Sequence, residues 1–277
     1  MMSIGFVIVS YNSEAILAGC LNRIPKNYEI VVVDNASEDG SRAVAQSYAT
    51  HVIANAENLG FGFACNQGAK LLTTSHVFFL NPDASLSPDA LCELEKAIGK
   101  FPDAGGFGPR VKNLGQTKSF RSKSYIEGGR YVEEAEAPDN YAEVDFIDGV
   151  AFICNRELFL ELGGFDENIF LYYEDDDLSY RIRSCGKKLI YVPQALVIHA
   201  KKSSSKPKFR LHYFRSWHET RSRMKLNEKY GLPFDYRREK KRARIRFVRA
   251  IVTFKFRKAA RYLGVTHALD LSRPELR

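Results

Sequence analysis

Short apolar runs alternate with helix-forming stretches through the first fifth of the chain. Residues 4–9 and 29–33 are rich in β-branched side chains, which is typical of buried strands, and residues 51–54 form a shorter run. The stretches between these runs, 14–23 and 41–49, have the character of helices. Strands that alternate with helices in this way predict a parallel sheet with crossover connections, an α/β fold.

The same alternation continues less regularly to about residue 200. Strands are predicted at 77–80, 104–109, 188–192 and 196–199, and helices at 64–73, 88–100 and 156–162. Pro193 is expected to separate the last two strands. Residues 112–143 are rich in glycine, serine and charged residues, so we interpret them as a loop region that faces the substrate.

Polar side chains follow the first two strands where these strands end. Ser10, Tyr11 and Asn12 come after the first strand, and Asp34 ends the second. Ligands of such sheets bind outside the carboxyl ends of the strands, and an acidic residue there suits a ribose hydroxyl or a base N–H. The first strand is not followed by GxGxxG, which argues against a dinucleotide-binding domain.

Two further loops carry residue types that phosphates and cations require. The glycine-rich segment 58–68 allows the backbone to approach a ligand at a helix start, although an ordinary glycine-rich loop explains it equally well. Asn-Pro-Asp at 81–83 follows a buried strand. A carboxylate held there by a rigid proline suits a hard cation that carries phosphates.

Four consecutive carboxylates, Glu-Asp-Asp-Asp at 174–177, precede a helical pattern in which Leu178, Ile182 and Cys185 share one face. Gly186 is suited to end this helix. One or two of the carboxylates can cap N–H groups at the helix start, most simply Asp176 or Asp177. Capping does not explain all four, because crowded carboxylates raise one another's pKa, so at least one is expected to be catalytic.

Charge divides the chain into an acidic body and a basic tail. Residues 201–277 contain 24 Lys/Arg and 6 Asp/Glu, whereas the preceding 200 residues contain 17 and 27. Helices are predicted at 206–230 and 237–263, the second with Ile, Val and Phe among many basic residues. This second helix either lies on an anionic membrane surface or packs against the body with a solvated basic face.

Cysteines and apolar run lengths bear on the cellular compartment. The five cysteines are scattered without a CxxC pair, so we expect reduced core thiols in a cytosolic protein. The sequence lacks a run of about 18 apolar residues and a basic region before its first strand, so neither a spanning helix nor a signal peptide is expected.

Taken in order, the motifs resemble those of the family 2 inverting glycosyltransferases, especially the bacterial rhamnosyltransferase-like branch. The matching segments are VIVSYN at 7–12, VVVDNAS at 31–37, NLGF at 58–61, FLNPD at 79–83, GGFDE at 163–167, YED at 173–175 and VIH at 197–199. The resemblance implies a GT-A fold with a mixed, mainly parallel central sheet flanked by helices. It implies a domain at 1–205, with a nucleotide-sugar-binding part at about 1–104 and an acceptor-binding part at about 105–205. The resemblance does not cover 206–277, which is interpreted as a basic, mainly helical extension.

The resemblance also implies which residues bind the donor, a nucleoside-diphosphate sugar. The residues implied are Ser10, Tyr11, Asn12 and Asp34 for the base and ribose, Asn58, Gly60 and Asn66 for the ribose and diphosphate, and Asn81. Asp83 matches the last carboxylate of a DxD metal motif, and His199 matches a histidine that completes the metal site in some members. Mn²⁺ or Mg²⁺ is the implied cofactor, and asparagine at position 81 removes one negative charge from the motif.

Catalysis is assigned through the same resemblance. Asp175 matches the general base, and Glu174 is expected to hydrogen-bond a sugar. The implied reaction is a metal-assisted single displacement that inverts the anomeric centre, with a hydroxyl of a glycan or lipid-linked glycan as acceptor in cell-surface polysaccharide synthesis. Such acceptors predict a cytoplasmic protein that is peripheral at the inner face of the cell membrane.

Two other classes of function are compatible with parts of the sequence. A nucleotidyltransferase acting on sugar phosphates also places carboxylates and a cation in an α/β domain, but the Ser-Tyr-Asn-Ser segment after the first strand lacks the basic, glycine-rich motif expected there. A nucleic-acid-binding protein explains the basic tail, but not the acidic body. Nucleic acid is therefore not expected as a partner.

Overall fold

A computed structural model describes residues 2–114, 120–121, 123–128, 137–200 and 209–271. The chain forms two compact units. The first contains residues 1–167 and 174–204, and the second contains 168–173 and 205–277. The short segment 168–173 thus belongs to the C-terminal unit, although it directly precedes the acidic cluster in the sequence.

The first unit is built on one sheet, to which the described residues contribute nine strands. These are β1 (Ile4–Ser10), β2 (Glu29–Asp34), β3 (His51–Ala54), β4 (His76–Leu80), β5 (Ala84–Leu86), β6 (Gly106–Asn113), β7 (Ala142–Val144), β8 (Ala151–Asn155) and β9 (Leu189–His199). Their order is β3-β2-β1-β4-β8-β6-β9-β5, with β7 also paired to β9. The pairs among β1–β4 and the β6–β9 pair are parallel, whereas β8, β5 and β7 pair antiparallel to their neighbours.

Helices of the first unit cover both faces of this sheet. They are α1 (Glu14–Leu21), α2 (Ser41–Tyr48), α3 (Phe61–Leu71), α4 (Ala90–Lys100), α5 (Tyr125–Gly128), α6 (Arg156–Glu161) and α7 (Glu174–Ser184). Successive residues of β1 point into different apolar clusters, Phe6 and Ile8 into one and Val7 and Val9 into the other. Burial of both faces explains why β1 is apolar almost throughout instead of alternating.

The mixed, mainly parallel sheet confirms the expected fold class, but several boundaries differ from prediction. Strands β5 and β7 were not predicted. Pro193 does not separate two strands, because β9 is continuous and its register against β6 shifts between Pro109 and Arg110. A proline that lacks an N–H fits such an irregularity, where the ladder omits a bond. Part of the predicted loop 112–143 lies outside the described residues.

The C-terminal unit contains three helices, α8 (Phe209–Lys229), α9 (Tyr236–Val252) and α10 (Phe256–Asp270). The prediction of one helix over 237–263 is wrong, because the chain turns between α9 and α10 with Phe254 at a φ of +51°. Helices α8 and α10 approach closely at Gly264, where a Cβ atom would meet the carbonyl oxygen of Tyr213. None of the described helices combines the length and apolar character that a membrane span requires.

The thiols agree only in part with the prediction. Cys20, Cys65 and Cys154 are buried, as expected for core thiols, and all five cysteines are unpaired. Cys92 and Cys185 are exposed, which corrects the prediction for these two. Cys185 follows the last turn of α7, so the helical spacing that suggested its burial no longer applies there.

Candidate functional site

The carboxyl ends of β1 and β2 bring Ser10 and Asp34 side by side, since these two residues are register partners. Both are buried. The Asp34 carboxylate accepts hydrogen bonds from the Ser37 hydroxyl at 2.5 Å and the Ser37 backbone N–H at 3.2 Å. The Ser10 hydroxyl oxygen is buried and has no hydrogen-bond partner among the residues that the structure describes. A buried hydroxyl of this kind at a strand end is suited to bind a ligand.

The loop after β1 is tied to the loop after β2. Asn12 has a φ of +50°, its backbone N–H donates to the Ser37 hydroxyl at 2.9 Å, and its side-chain oxygen accepts from the Glu38 N–H at 2.8 Å. Asparagine tolerates this left-handed conformation better than most residues. Tyr11, next to it, keeps nearly half of its surface exposed, so its ring is accessible beside the strand ends.

Asn35 organises the glycine-rich loop and was not assigned a role from the sequence. Its side-chain amide donates to the Asn58 side-chain oxygen and to the Gly60 carbonyl, both at 3.0 Å. Its oxygen accepts from the Asn55 amide at 3.1 Å and the Leu59 N–H at 3.2 Å. The available signal was its position in the VVVDNAS motif, directly after Asp34. Asn58 and Gly60 are therefore placed next to the end of β2, at the same edge of the sheet as Asp34.

Asn66 lies on α3 and makes contacts of a different kind. Its amide donates to the Phe165 carbonyl at 2.9 Å and to the Glu167 carboxylate at 3.2 Å, and its oxygen accepts from the Phe165 N–H at 2.8 Å. It is also so close to Gly164, where φ is +74°, that a Cβ atom there would overlap it. These contacts connect the glycine-rich segment to the GGFDE motif, which favours a positioning role for Asn66.

Asp83 and His199, the expected metal ligands, lie together at the ends of β4 and β9. The His199 Nε2 atom is 3.1 Å from the Asp83 Oδ1 atom, and its Nδ1 atom is 2.7 Å from the Asn113 side-chain oxygen. With Nδ1–H donating to Asn113, the lone pair of Nε2 points towards Asp83, and a cation between the two atoms would be bound by both.

This donor set fits a hard divalent cation bound partly by a substrate. In the parts of the chain that the structure describes, no cluster of three or more His, Cys, Asp or Glu side chains is arranged for a metal ion. Mg²⁺ commonly takes only one or two protein ligands and completes its shell with phosphate oxygens and water. Asn113, which sequence reasoning missed, supplies the oriented partner that metal-binding histidines usually have.

Asp175 occupies the first turn of α7, as predicted. Its carboxylate accepts the Gly149 N–H at 2.9 Å and the Asp176 N–H at 3.0 Å. Withdrawal from water and the charges of Asp176 and Asp148 raise the pKa of Asp175 to about 7. The side chain nevertheless remains partly exposed, so a substrate hydroxyl can reach it. A pKa near the working pH is what a general base requires.

Glu174, directly before it, is buried more completely. Burial and the charge of Asp175 raise its pKa well above the ordinary value, which favours the protonated form. Its Oε2 atom is buried, and no group in the described part of the chain hydrogen-bonds to it. A protonated carboxyl group whose oxygen is otherwise unsatisfied can donate one hydrogen bond to a sugar hydroxyl or accept one from it.

The other two carboxylates of the cluster form ion pairs. Asp176 accepts from the Arg121 guanidinium at 2.6 Å and from the Tyr125 backbone N–H at 2.7 Å. Asp177 pairs with Arg181 at 2.7 Å, and Arg181 also donates to the carbonyls of 162 and 164. These two carboxylates therefore organise the loops around α7, which leaves Glu174 and Asp175 for chemistry.

Asp175, the expected base, and the Asp83–His199 pair are linked through a single loop. The Asn81 N–H donates to the Val150 carbonyl at 2.9 Å, and the adjacent Gly149 N–H binds Asp175. Strand β8 continues from this loop and pairs with β4, which leads to Asn81 and Asp83. The structure therefore brings the expected metal ligands and the expected base to neighbouring positions at one edge of the sheet.

Comparisons with known proteins agree with this arrangement. A family model described as Glycosyl transferase family 2 matches residues 6–163, more than half of the chain. The N-acetylglucosaminyl-diphospho-decaprenol L-rhamnosyltransferase of Mycobacterium tuberculosis (strain H37Rv) is 27% identical over 228 residues, which cover 69% of this chain and 73% of that protein. The rhamnosyltransferase WbbL of Escherichia coli (strain K12) is 26% identical over 219 residues, which cover 70% of this chain and 81% of that protein.

Solved structures extend the comparison to the fold. The crystal structure of GalNAc-T7 with UDP, GalNAc and Mn²⁺ superimposes with a TM-score of 0.61 at 18% sequence identity. The match covers 88% of this chain and 51% of that one. At this identity the likeness shows the GT-A fold and leaves the chemistry to be argued from the residues.

Proposed function

Because the chain belongs to glycosyl transferase family 2, we propose that it moves a hexosyl or rhamnosyl group from a nucleoside-diphosphate sugar to a hydroxyl of a glycan or lipid-linked glycan. The transfer is a single displacement that inverts the anomeric centre. The proposal depends above all on Asp175, a reachable carboxylate held by the Gly149 N–H with a pKa raised to about 7.

In the proposed step, Asp175 accepts the proton of the acceptor hydroxyl as the hydroxyl oxygen attacks the anomeric carbon. The bond between that carbon and the diphosphate oxygen breaks, and the nucleoside diphosphate leaves with the bonding electrons. Attack opposite the leaving group inverts the configuration, and the proton is later released from Asp175 to solvent. Glu174 hydrogen-bonds a sugar hydroxyl through its otherwise unsatisfied Oε2 atom and so helps to orient the reacting atoms.

Donor binding is assigned to the edge of the sheet around the ends of β1 and β2. In this proposal, Asp34 and the Ser10 hydroxyl bind the nucleobase and ribose, with Tyr11 and Asn12 beside them. The backbone around Asn58 and Gly60 approaches the ribose and diphosphate. Asp83 and His199 would hold Mn²⁺ or Mg²⁺ next to Asn81, and such an ion supplies positive charge against the negative charge that develops on the leaving diphosphate.

The relatives support a lipid-linked acceptor. One is named as a rhamnosyltransferase of N-acetylglucosaminyl-diphospho-decaprenol, which is a sugar on a lipid diphosphate. An acceptor of this kind is confined to a membrane, so we propose that the protein acts in cell-surface polysaccharide synthesis as a peripheral protein at the inner face of the cell membrane. The basic C-terminal helices supply the charge for such attachment.

The decisive variant is Asp175→Asn, which keeps the size of the side chain but cannot accept the proton. We expect it to lower kcat by at least about 10²-fold, the usual contribution of a general base, while donor binding is retained. Wild-type kcat should rise with pH through about 7 as Asp175 loses its proton. The matched control is Asp103→Asn, the same exchange at an exposed carboxylate. Turnover by Asp175→Asn at the control's rate would exclude Asp175 as the base, and retention of configuration in the product would exclude the single displacement.

A further inference from the structure

The second half of α9, the turn after it and the start of α10 expose six large apolar side chains that are close together in the sequence. They are Ile245, Val248, Ile251, Val252, Phe254 and Phe256, each between 43% and 79% exposed. We call these six residues the α9–α10 corner. Isolated exposed apolar residues are ordinary, but a group of this size usually marks a surface that binds something apolar.

The corner is not the packing face of α9. Helix α9 buries Ala243 and Ala250, which are seven residues apart and therefore share one side of the helix. Ile245, Val248 and Val252 follow the spacing i, i+3, i+7 and form a separate stripe on the opposite side. An apolar stripe facing away from the helix's own packing partner has no role in stabilising the unit.

The backbone of the turn holds one aromatic ring outward. Phe254 adopts a φ of +51°, a conformation in which glycine or asparagine is usual at a helix end, and it is the most exposed member of the corner. The N–H of Phe254 donates to the Ile251 carbonyl and the N–H of Lys255 to the Ala250 carbonyl, which closes the end of α9. A bulky side chain at this strained position is unfavourable for folding, which points to a use for the exposed ring.

Charge decides which apolar surface fits the corner. Residues 241–261 contain nine Lys/Arg, and the sequence has neither Asp nor Glu from 241 to 269. Lys255, Arg257 and Lys258 lie in and next to the turn, and all three are exposed. Apolar and aromatic side chains surrounded by cations complement a surface that is apolar below and anionic above, which describes the headgroup layer of an anionic membrane.

We propose that the α9–α10 corner inserts into the headgroup layer of an anionic lipid bilayer. Val252, Phe254 and Phe256 enter the boundary between headgroups and acyl chains, and Lys255, Arg257 and Lys258 bind lipid phosphates. The inference rests on the proposed function, because a lipid-linked acceptor lies in a membrane, and it assigns the attachment to the second half of α9, the turn after it and the start of α10.

The test is co-sedimentation of the full-length chain with vesicles. Wild-type protein should bind phosphatidylcholine vesicles that contain phosphatidylglycerol, bind pure phosphatidylcholine much more weakly, and be released by high salt. The apolar variant Val252→Ser/Phe254→Ser/Phe256→Ser should lose at least about tenfold in partition. Its melting temperature should stay within about 2 °C of the wild type, because these side chains are exposed.

A second variant tests the charge independently. Lys255→Gln/Arg257→Gln/Lys258→Gln should weaken binding by about fivefold for each basic residue removed, and its remaining binding should depend less on salt. Two controls make the same exchanges at exposed sites of the first unit. They are Met2→Ser/Tyr48→Ser/Leu71→Ser for the apolar variant and Arg23→Gln/Lys26→Gln/Arg42→Gln for the charge variant. Both controls should bind vesicles as the wild type does.

Several results would overturn the proposal. One is undiminished vesicle binding by the apolar variant, and another is equal binding of wild type to neutral and anionic vesicles. Light scattering that shows a dimer dissociated by the apolar variant would make the corner a protein interface. Wild-type protein could instead bind nucleic acid in a salt-dependent gel shift and not bind vesicles. If the charge variant abolished that gel shift, the corner would be a nucleic-acid-binding surface.

Transfer measured with a detergent-solubilised acceptor separates this proposal from the proposed function. Both corner variants should transfer sugar at the wild-type rate in detergent, because none of their substituted residues lies in the proposed site. Normal transfer by wild-type protein that does not bind vesicles would refute the corner proposal alone. Vesicle binding by wild-type protein that does not transfer sugar would refute the proposed function alone.

Discussion

Asp175 and Asp83 are aspartates of the same unit, connected through the Asn81–Val150 hydrogen bond, but their surroundings differ. Asp175 stands among carboxylates, with Glu174 and Asp176 buried on either side of it in the sequence. Asp83 faces the His199 imidazole at 3.1 Å. Like charges and loss of water favour the protonated form of a carboxyl group such as Asp175. A neighbouring imidazole nitrogen instead allows a carboxylate such as Asp83 to bind a cation together with that nitrogen. In the proposed function, these surroundings suit Asp175 to act as the base and Asp83 to act as a metal ligand.

The largest effect is expected when Arg121, the basic side chain that pairs with the acidic cluster, loses its charge. Arg121→Gln leaves Asp176 buried without its ion-pair partner, so we expect a loss of about 3–5 kcal/mol in the free energy of unfolding at neutral pH. Because the charge of Arg121 lowers the pKa of Asp175, the pH at which kcat rises should move upwards. Denaturant unfolding and a pH–rate profile measure the two effects.

The control for this prediction is an exposed ion pair. Lys188 lies 2.9 Å from Glu143, and both side chains are exposed. Lys188→Gln should therefore cost less than about 1 kcal/mol. Equal losses in the two variants would show that Asp176 does not depend on Arg121 and that the cluster is less buried in solution than in this structure.

A smaller effect is expected from Asp175 itself, and its sign depends on pH. The pKa of Asp175 is about 7 in the folded chain and about 3.9 when unfolded, so the folded state binds more protons between these values. The contribution of this group to stability is therefore present below pH 4 and is lost as the pH rises through 7. Asp175→Asn removes this dependence and should stabilise the protein at pH 8, on the order of 2 kcal/mol, but hardly at pH 4.

Thermal unfolding of wild type and Asp175→Asn at several pH values checks this sign. The gain in melting temperature from the substitution should increase steadily between pH 4 and pH 8. A gain that does not depend on pH would mean that Asp175 has an ordinary pKa, and this would weaken its assignment as the base.

The last effects concern Asp83 and His199, the pair that we propose as metal ligands. Asp83→Ala and His199→Ala should each weaken Mn²⁺-dependent binding of a nucleoside diphosphate, by about 10-fold to 100-fold, with the larger loss for Asp83 because it carries charge. Asn113→Ala, which leaves His199 without its Nδ1 partner, should show a smaller loss. Calorimetric titration with UDP, GDP and dTDP, with and without EDTA, measures the loss of binding and identifies the preferred nucleobase of the donor. Binding that EDTA leaves unchanged would remove Asp83 and His199 as metal ligands.

The sequence predicted the parts of the site that depend on local pattern. Ser10 and Asp34 were placed at strand ends because a buried strand is recognisable from its own residues. The helix start at Glu174 and its end before Gly186 were predicted for the same reason, and the structure confirms both. The order of the motifs also indicated the family, because this order is visible in the sequence and does not depend on the fold.

The tertiary structure decided which partner each of these residues has. Arg121 binds Asp176 across 55 positions, Asn113 binds His199 across 86, and Asn66 binds Phe165 across 99. Periodicity describes at most one helix or strand at a time, so it contains no information on such pairs. It therefore could not separate the two structural carboxylates of the acidic cluster from Glu174 and Asp175, because burial and ion pairing are set by residues that only folding brings together.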